Sequence, residues 1–147
     1  MSTEDVKKLR SDTGAGIMDI KKALDEAGGD TDKAKEIIRE KGLIKATKRS
    51  GRDTGAGVLE SYVHNNRVGV LLELRCETDF VARSEPFREL AHELAMQVAA
   101  MLSENVEELM SQSYIKDDSQ TVEQLVKGVI AKTGENIEIA RFCRYEL

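Results

Sequence analysis

Apolar residues change their spacing twice along this chain, and each change marks a boundary. Over residues 1–42 they recur at helical spacing in three short runs. Val6 and Leu9 lie in the first run, which Gly14-Ala15-Gly16 breaks. Ile17, Ile20, Leu24 and Ala27 fall on one helical face in the second, which stops at Gly28-Gly29. Asp30 or Thr31 caps a third helix carrying Ala34, Ile37 and Ile38, with Gly42 as its expected end. Residues 43–56 are small and basic and read as a partly helical linker. Near Gly57 the spacing switches to two. Residues 58–64 favour a strand, Asn65-Asn66 supplies a tight turn, and Val68, Val70, Leu72, Leu74 and Cys76 alternate strictly. Residues 57–76 are therefore expected to form a β-hairpin.

Helical spacing then returns. Pro86 opens a helix, where its missing N–H costs nothing, and Phe87, Leu90, Ala91, Leu94, Ala95, Val98, Met101 and Leu102 form its apolar stripe. A second helix near 121–132 carries Val122, Leu125, Val126, Val129 and Ile130 and stops at Gly134, and residues 137–145 read as a last strand. The order β-β-α-α-β predicts an α+β fold for residues 57–147, an antiparallel sheet backed by helices on one face. Strict alternation places Ile137, Ile139, Cys143 and Tyr145 on one face of the last strand, with Ala140 and Phe142 on the other. Both sheet faces then carry apolar groups, and helices cover only one. A two-fold dimer stacking sheet on sheet is expected to cover the other, with those four residues as interface candidates. Light scattering that found only single chains would count against it.

Composition narrows the function. The chain has 147 residues, 40% apolar and 33% charged, enough for a real core of one medium domain or two small ones. No apolar run reaches the roughly 20 residues that span a bilayer, and residues 1–10 lack an apolar signal core, so a cytoplasmic protein without membrane contact is expected. With 22 Lys and Arg against 27 Asp and Glu the net charge is −5, which argues against direct nucleic-acid binding. The one basic cluster, Lys41, Lys45, Lys48, Arg49 and Arg52, reads as solvated linker. Two cysteines, 76 and 143, do not make a disulfide framework, and two distant histidines without CxxC or HExxH spacing predict no metal centre and no cofactor.

Nor is a catalytic constellation legible. Asp12-Thr13-Gly14 recurs as Asp53-Thr54-Gly55, the triplet of aspartic proteases, but neither copy has the apolar strands that such a carboxylate pair needs. GxxxxGK[ST] is absent. His64 on the hairpin is the one base within strand reach of a cysteine, and reads as surface. The distinctive segment is Glu-Thr-Asp-Phe-Val-Ala-Arg at 77–83, a connector that sets an acid beside one of only three phenylalanines. It has two readings. In one, Phe80 fills the local core and Asp79 caps a turn. In the other, Phe80 is an exposed wedge that enters a partner's cleft.

Four motifs in order resemble the elongation factor Ts family, and together they cover nearly the whole chain. They are Glu-Thr-Asp-Phe-Val-Ala-Arg at 77–83 followed by Phe87; Val6-Lys7-Lys8-Leu9-Arg10 followed by Thr-Gly-Ala-Gly-Ile-Met-Asp-Ile-Lys-Lys-Ala-Leu at 13–24; the Gly42 to Lys48 linker; and Lys132-Thr133-Gly134-Glu135-Asn136-Ile137 running to Arg141-Phe142. The resemblance implies a ubiquitin-associated-like three-helix domain at 1–42. It also implies a non-enzymatic guanine-nucleotide exchange factor whose partner is the GTPase domain of elongation factor Tu. It assigns partner contacts to Leu9, Arg10, Gly16, Ile17 and Met18, and to Thr78, Asp79, Phe80 and Val81, with Phe80 wedging apart the helix that helps the partner hold Mg²⁺. Family members with longer chains carry a second subdomain or helical insertion, for which residues 103–120 leave no room. Short members pair through their sheets as homodimers, which implies an optional Cys143 disulfide across the interface. Two other readings compete: an adaptor acting through residues 1–42 alone, and a small protease using Asp12 or Asp53.

Overall fold

Ser2 starts the first helix by accepting a hydrogen bond from Asp5 N, while the Asp5 carboxylate accepts one from Ser2 N. A computed structural model describes residues 2–147. In it α1 (Thr3–Thr13) and α2 (Ile17–Glu26) are followed by α3 (Thr31–Lys48), capped by Asp30 through the N–H groups of Asp32 and Lys33. Leu9, Ile20, Ala23, Leu24, Ala34 and Ile38 close a small core between these three helices.

The expected stop at Gly42 does not occur. α3 runs on to Lys48, so residues 43–48 of the expected linker are helix and the linker is partly helical, as its composition suggested. The reason is tertiary. A Cβ at Gly42 would lie 3.1 Å from Ala131 Cβ, so the missing side chain lets α3 lie close against α7 (Val122–Thr133). That close packing offsets the roughly 1 kcal/mol that glycine costs inside a helix. Gly14, in the left-handed region at φ 69°, likewise packs against Lys132 of α7. The basic cluster is largely exposed to solvent, as expected, and most of its members also find partners within the chain. Lys41 pairs with Glu26 at 2.8 Å and Lys45 with Asp19 at 3.2 Å, while Arg49 donates to the Ile130 carbonyl and Arg52 to that of Gly134.

The second core is built on a three-stranded antiparallel sheet in the order β1-β2-β5: β1 (Ala56–His64), β2 (Val68–Cys76) and β5 (Ile137–Glu146). Asn65 and Asn66, both at positive φ, make the β1–β2 turn as expected. Val70, Leu72, Leu74 and Cys76 point to the inner face, where α5 (Glu85–Ala100) lays Phe87, Leu90, Ala91, Leu94, Ala95 and Val98 against them, and α7 packs beside it. Between β2 and α5 lies the one-turn α4 (Asp79–Ala82). Met101 and Leu102, expected on the α5 stripe, lie beyond its end and are exposed. Residues 103–120 hold elements that the pattern did not reveal: α6 (Val106–Ser111) and a small hairpin of β3 (Ser113–Tyr114) and β4 (Asp117–Thr121). The fully buried amide of Gln97 holds that hairpin to α5, donating to Gln112 Oε1 and Ser113 O and accepting from Ile115 N. Among the described residues no helix is long and apolar enough to cross a membrane.

The last strand corrects one expectation. Glu73 pairs with Arg141 but Leu74 pairs with Ile139, so Ala140 is an extra residue in a β-bulge. A bulge reverses the alternation beyond it. Ile137 and Ile139 point into the core under the helices, as does half-buried Phe142, whereas Cys143 and Tyr145 are exposed. The four interface candidates therefore do not share a face. The uncovered face instead carries Leu59 and Val63 from β1, Leu71 from β2, and Cys143 and Tyr145 from β5. Across the strands, Val63, Gly69 and Tyr145 form one row, and Ser61, Leu71 and Cys143 the next.

Candidate functional site: an exposed aromatic on a clamped turn

The connector at 77–83 is not an open loop. Thr78 caps α4, its hydroxyl accepting from Val81 N at 3.3 Å, and Arg83 N donates to the Asp79 carbonyl. Ser84 Oγ donates to the Val81 carbonyl at 2.6 Å and Arg88 Nε to that of Ala82 at 3.3 Å, fixing the far end of the turn. Val81 and Ala82 are buried in the main core and anchor the turn from below. Thr78, Asp79 and Phe80 are exposed, and Phe80 is 81% exposed although Val81 and Ala82, which follow it, are buried in the core. The core-plug reading of Phe80 is thereby excluded. The core phenylalanine of this region is Phe87, at 0% exposure.

Two carboxylates hold the turn from the side. Glu135 Oε1 accepts from the backbone N–H groups of Glu77 at 3.1 Å and Thr78 at 3.0 Å, and Glu135 Oε2 accepts from the Thr78 hydroxyl at 2.7 Å. In return Glu77 Oε1 accepts from Asn136 N at 2.8 Å and lies 3.6 Å from the Arg52 guanidinium. Asn136, itself buried, ties in the chain before β1 by donating to the carbonyls of Ser50 and Arg52. Cys76 Sγ lies under the turn, 3.2 Å from the Thr78 carbonyl, and burial raises its thiol pKa. Such a pKa keeps the thiol protonated and inert. Glu77, Glu135 and Asn136 were not among the expected site residues. Glu77 stood in the motif 77–83 and Glu135 and Asn136 in the motif 132–137, but no local pattern reveals that Glu135 reaches 57 residues back to Thr78.

The N-terminal candidates divide. Arg10, Gly16, Ile17 and Met18 are exposed around the α1–α2 turn, with Met18 the most exposed of the two apolar residues. Leu9 is buried in the three-helix core, so it supports this surface from behind rather than forming it; Val81 stands in the same relation to Phe80. The two Asp-Thr-Gly copies serve other ends. Asp12 lies in α1 and pairs with Lys35 at 3.2 Å, while Thr54 donates to Glu138 in the approach to β1. Among the described residues no hydrogen bond joins Asp12 to Asp53. His64 is engaged by the Tyr62 hydroxyl and by Asn65 rather than by a cysteine.

Comparison with known proteins agrees with the motifs. A family model described as Elongation factor TS matches residues 77–147, which include the clamped turn and both carboxylates. Elongation factor Ts of Thermotoga petrophila is 45% identical over 191 aligned positions, covering all of this chain and 96% of that protein. The alignment is longer than the chain, so the relative carries residues with no counterpart here. Elongation factor Ts of Aquifex aeolicus is 50% identical over 99% of this chain and 52% of that protein. A rice protein named Polyprotein of EF-Ts, chloroplastic, is 42% identical over 97% of this chain and 17% of its own length. With identities of this size over its full length, the chain belongs to the elongation factor Ts family and to the machinery of translation elongation.

Proposed function

We propose that the chain is a guanine-nucleotide exchange factor for elongation factor Tu, acting by binding alone and without a catalytic step of its own. The observation that carries this reading is Phe80, an 81% exposed aromatic held on a fixed one-turn helix beside the Asp79 carboxylate. An exposed ring on an ordered support can enter a partner's cleft with little loss of its own conformational freedom. In this reading the α1–α2 turn, with Ile17 and Met18, docks on the GTPase domain, and Phe80 inserts between helices near the nucleotide. The inserted ring displaces the helix that helps position Mg²⁺ and shifts the phosphate loop. Mg²⁺ demands near-ideal octahedral geometry, so a small displacement of its supports weakens it. GDP then loses its clamp. By linkage, whatever factor this chain takes from GDP affinity, GDP takes from the affinity for this chain.

The uncovered sheet face supports a second element of the reading, a homodimer. Leu59, Val63, Leu71 and Tyr145 are exposed together on a face that no helix covers, and two copies stacked on it would remove that surface from water.

Release of labelled GDP from purified elongation factor Tu, with increasing amounts of this protein, tests the exchange reading. Release that accelerates with concentration and saturates is expected. A release rate independent of the added protein would overturn it.

A further inference from the structure

We propose that Glu135 is the positioning residue for Phe80: it does not meet the partner but keeps the turn that carries the ring in its binding conformation. This rests on the exchange reading above and adds the device by which the ring is presented.

A four-residue helix has almost no stability of its own, because forming the first helical turn orders several residues for one hydrogen bond. α4 therefore depends on what holds its ends. At its N-terminal end nearly everything converges on Glu135. Its carboxylate takes three donors, Glu77 N, Thr78 N and Thr78 Oγ1, at 3.1, 3.0 and 2.7 Å. The third bond matters most for Phe80. Once the Thr78 hydroxyl proton is committed to Glu135, the hydroxyl rotor is fixed, and its oxygen is left to accept from Val81 N, the cap of α4. A continuous line of hydrogen bonds thus runs from Glu135 through Thr78 to the residue after Phe80. Bonds to an ionised acceptor are the stronger kind, and this acceptor comes from the chain just before β5, not from α4's own surroundings in sequence.

Losing the clamp lets the turn sample conformations in which Phe80 points elsewhere. A partner that binds only the ordered turn then sees an effective affinity lowered by the fraction still ordered. If that fraction falls to about a tenth, half-maximal exchange requires about tenfold more protein while the saturated rate holds. A residue that merely supports the fold would give the same split only by lowering the folded fraction, which a urea midpoint reads directly, and its loss would multiply with that of Phe80→Ala.

The test is a double-mutant cycle read by GDP release from elongation factor Tu, using the full chain with Glu135→Ala, Phe80→Ala and both together. Glu135→Ala is expected to raise the half-maximal concentration about tenfold with an unchanged plateau. Added to Phe80→Ala it should produce no further loss, because its effect passes through the ring. Glu135→Gln retains the volume and the acceptor for the two backbone amides, so it should remain folded even if the alanine variant does not, and should show a smaller loss of the same kind. Full activity in both Glu135 variants, or losses that multiply in the double variant, would overturn the clamp. If Phe80→Ala itself leaves release unchanged, the role given to the ring falls and this proposal with it; if the wild-type chain does not accelerate release at all, the exchange reading falls. If Phe80→Ala impairs release and Glu135→Ala does not, only the clamp is refuted.

Discussion

Replacing Phe80 and Phe87 by alanine, one at a time, should separate what this chain does from what holds it together. The two rings are seven residues apart and chemically identical, but one is 81% exposed and the other 0%. Full burial of a phenylalanine side chain contributes about 1.5–3 kcal/mol. Phe80 keeps about a fifth of that, roughly 0.5 kcal/mol, and alanine returns a few tenths through its better helix propensity in α4. Phe80→Ala should therefore leave folding stability unchanged within about 0.5 kcal/mol. Phe87 is surrounded by the inner face of the sheet and its own helix, so its truncation leaves a cavity and should cost about 3–5 kcal/mol. In GDP release from elongation factor Tu the order reverses at temperatures where both variants are folded. Phe80→Ala should lose tenfold or more, since aromatic anchors at interfaces contribute about 2 kcal/mol or more, while Phe87→Ala should retain most of its activity. Urea denaturation by circular dichroism supplies the first measurement and stopped-flow fluorescence of labelled GDP the second. A Phe80→Ala variant as destabilised as Phe87→Ala, or one that releases GDP at the wild-type rate, would refute the reasoning.

Three further outcomes follow from other parts of the fold. Gln97→Leu strands the groups that the amide now satisfies, Ser113 O, Ile115 N and Gln112 Oε1, so it should cost about 2–4 kcal/mol and speed amide exchange at 113–121. Burial opposes the charge on Glu93, but hydrogen bonds from Lys116 and Tyr114, each 2.7 Å, outweigh it and hold the carboxyl below its ordinary pKa. A carboxyl depressed in the fold contributes stability that is complete above its unfolded pKa and drains as pH falls, here below about 4.3. Glu93→Gln should accordingly flatten the acid limb of a plot of stability against pH, and an unaltered limb would place that loss elsewhere. Leu71 lies on the central strand of the uncovered face; sedimentation should show paired wild-type chains and single Leu71→Lys chains, and a wild-type protein that stays at 16.3 kDa would remove the dimer.

Much of this architecture was legible because it is local. The period-two run from Val68 to Cys76, the paired asparagines at the turn, Pro86 at the start of α5 and Gly134 at the end of α7 each act through the backbone of their own neighbourhood. Phe80 with Asp79 was legible as a pair but not as a helix, because four residues carry no periodicity. What escaped depends on distant partners. Gly42 reads as a stop unless α7 is known to pass beside it. Ala140 bulges through pairing with β2, and nothing in the alternation of the last strand marks the residue at which its faces exchange. The β3–β4 hairpin, made largely of Asp, Ser, Gln and Lys, has no strand pattern and is held by an amide from another element. Glu135 is the same case at the candidate site: an ordinary acid in sequence, a clamp only once β5 returns beside β2.

The long third helix has a consequence for how any partner must be shaped. Its first half belongs to one core through Ala34 and Ile38, and Ala46 near its end belongs to the other. Eighteen residues make a rod of about 27 Å, embedded at both ends, so if Met18 and Phe80 both meet the partner as proposed, the span between them is a caliper with its jaws already set. Such a caliper spends no chain entropy in bringing the second jaw to its mark. It also rejects any surface on which the two marks lie at a different spacing, even where each would fit alone. Discrimination among related GTPases would then reside in a length, and a helical turn inserted into α3 would abolish recognition while leaving every contact residue in place.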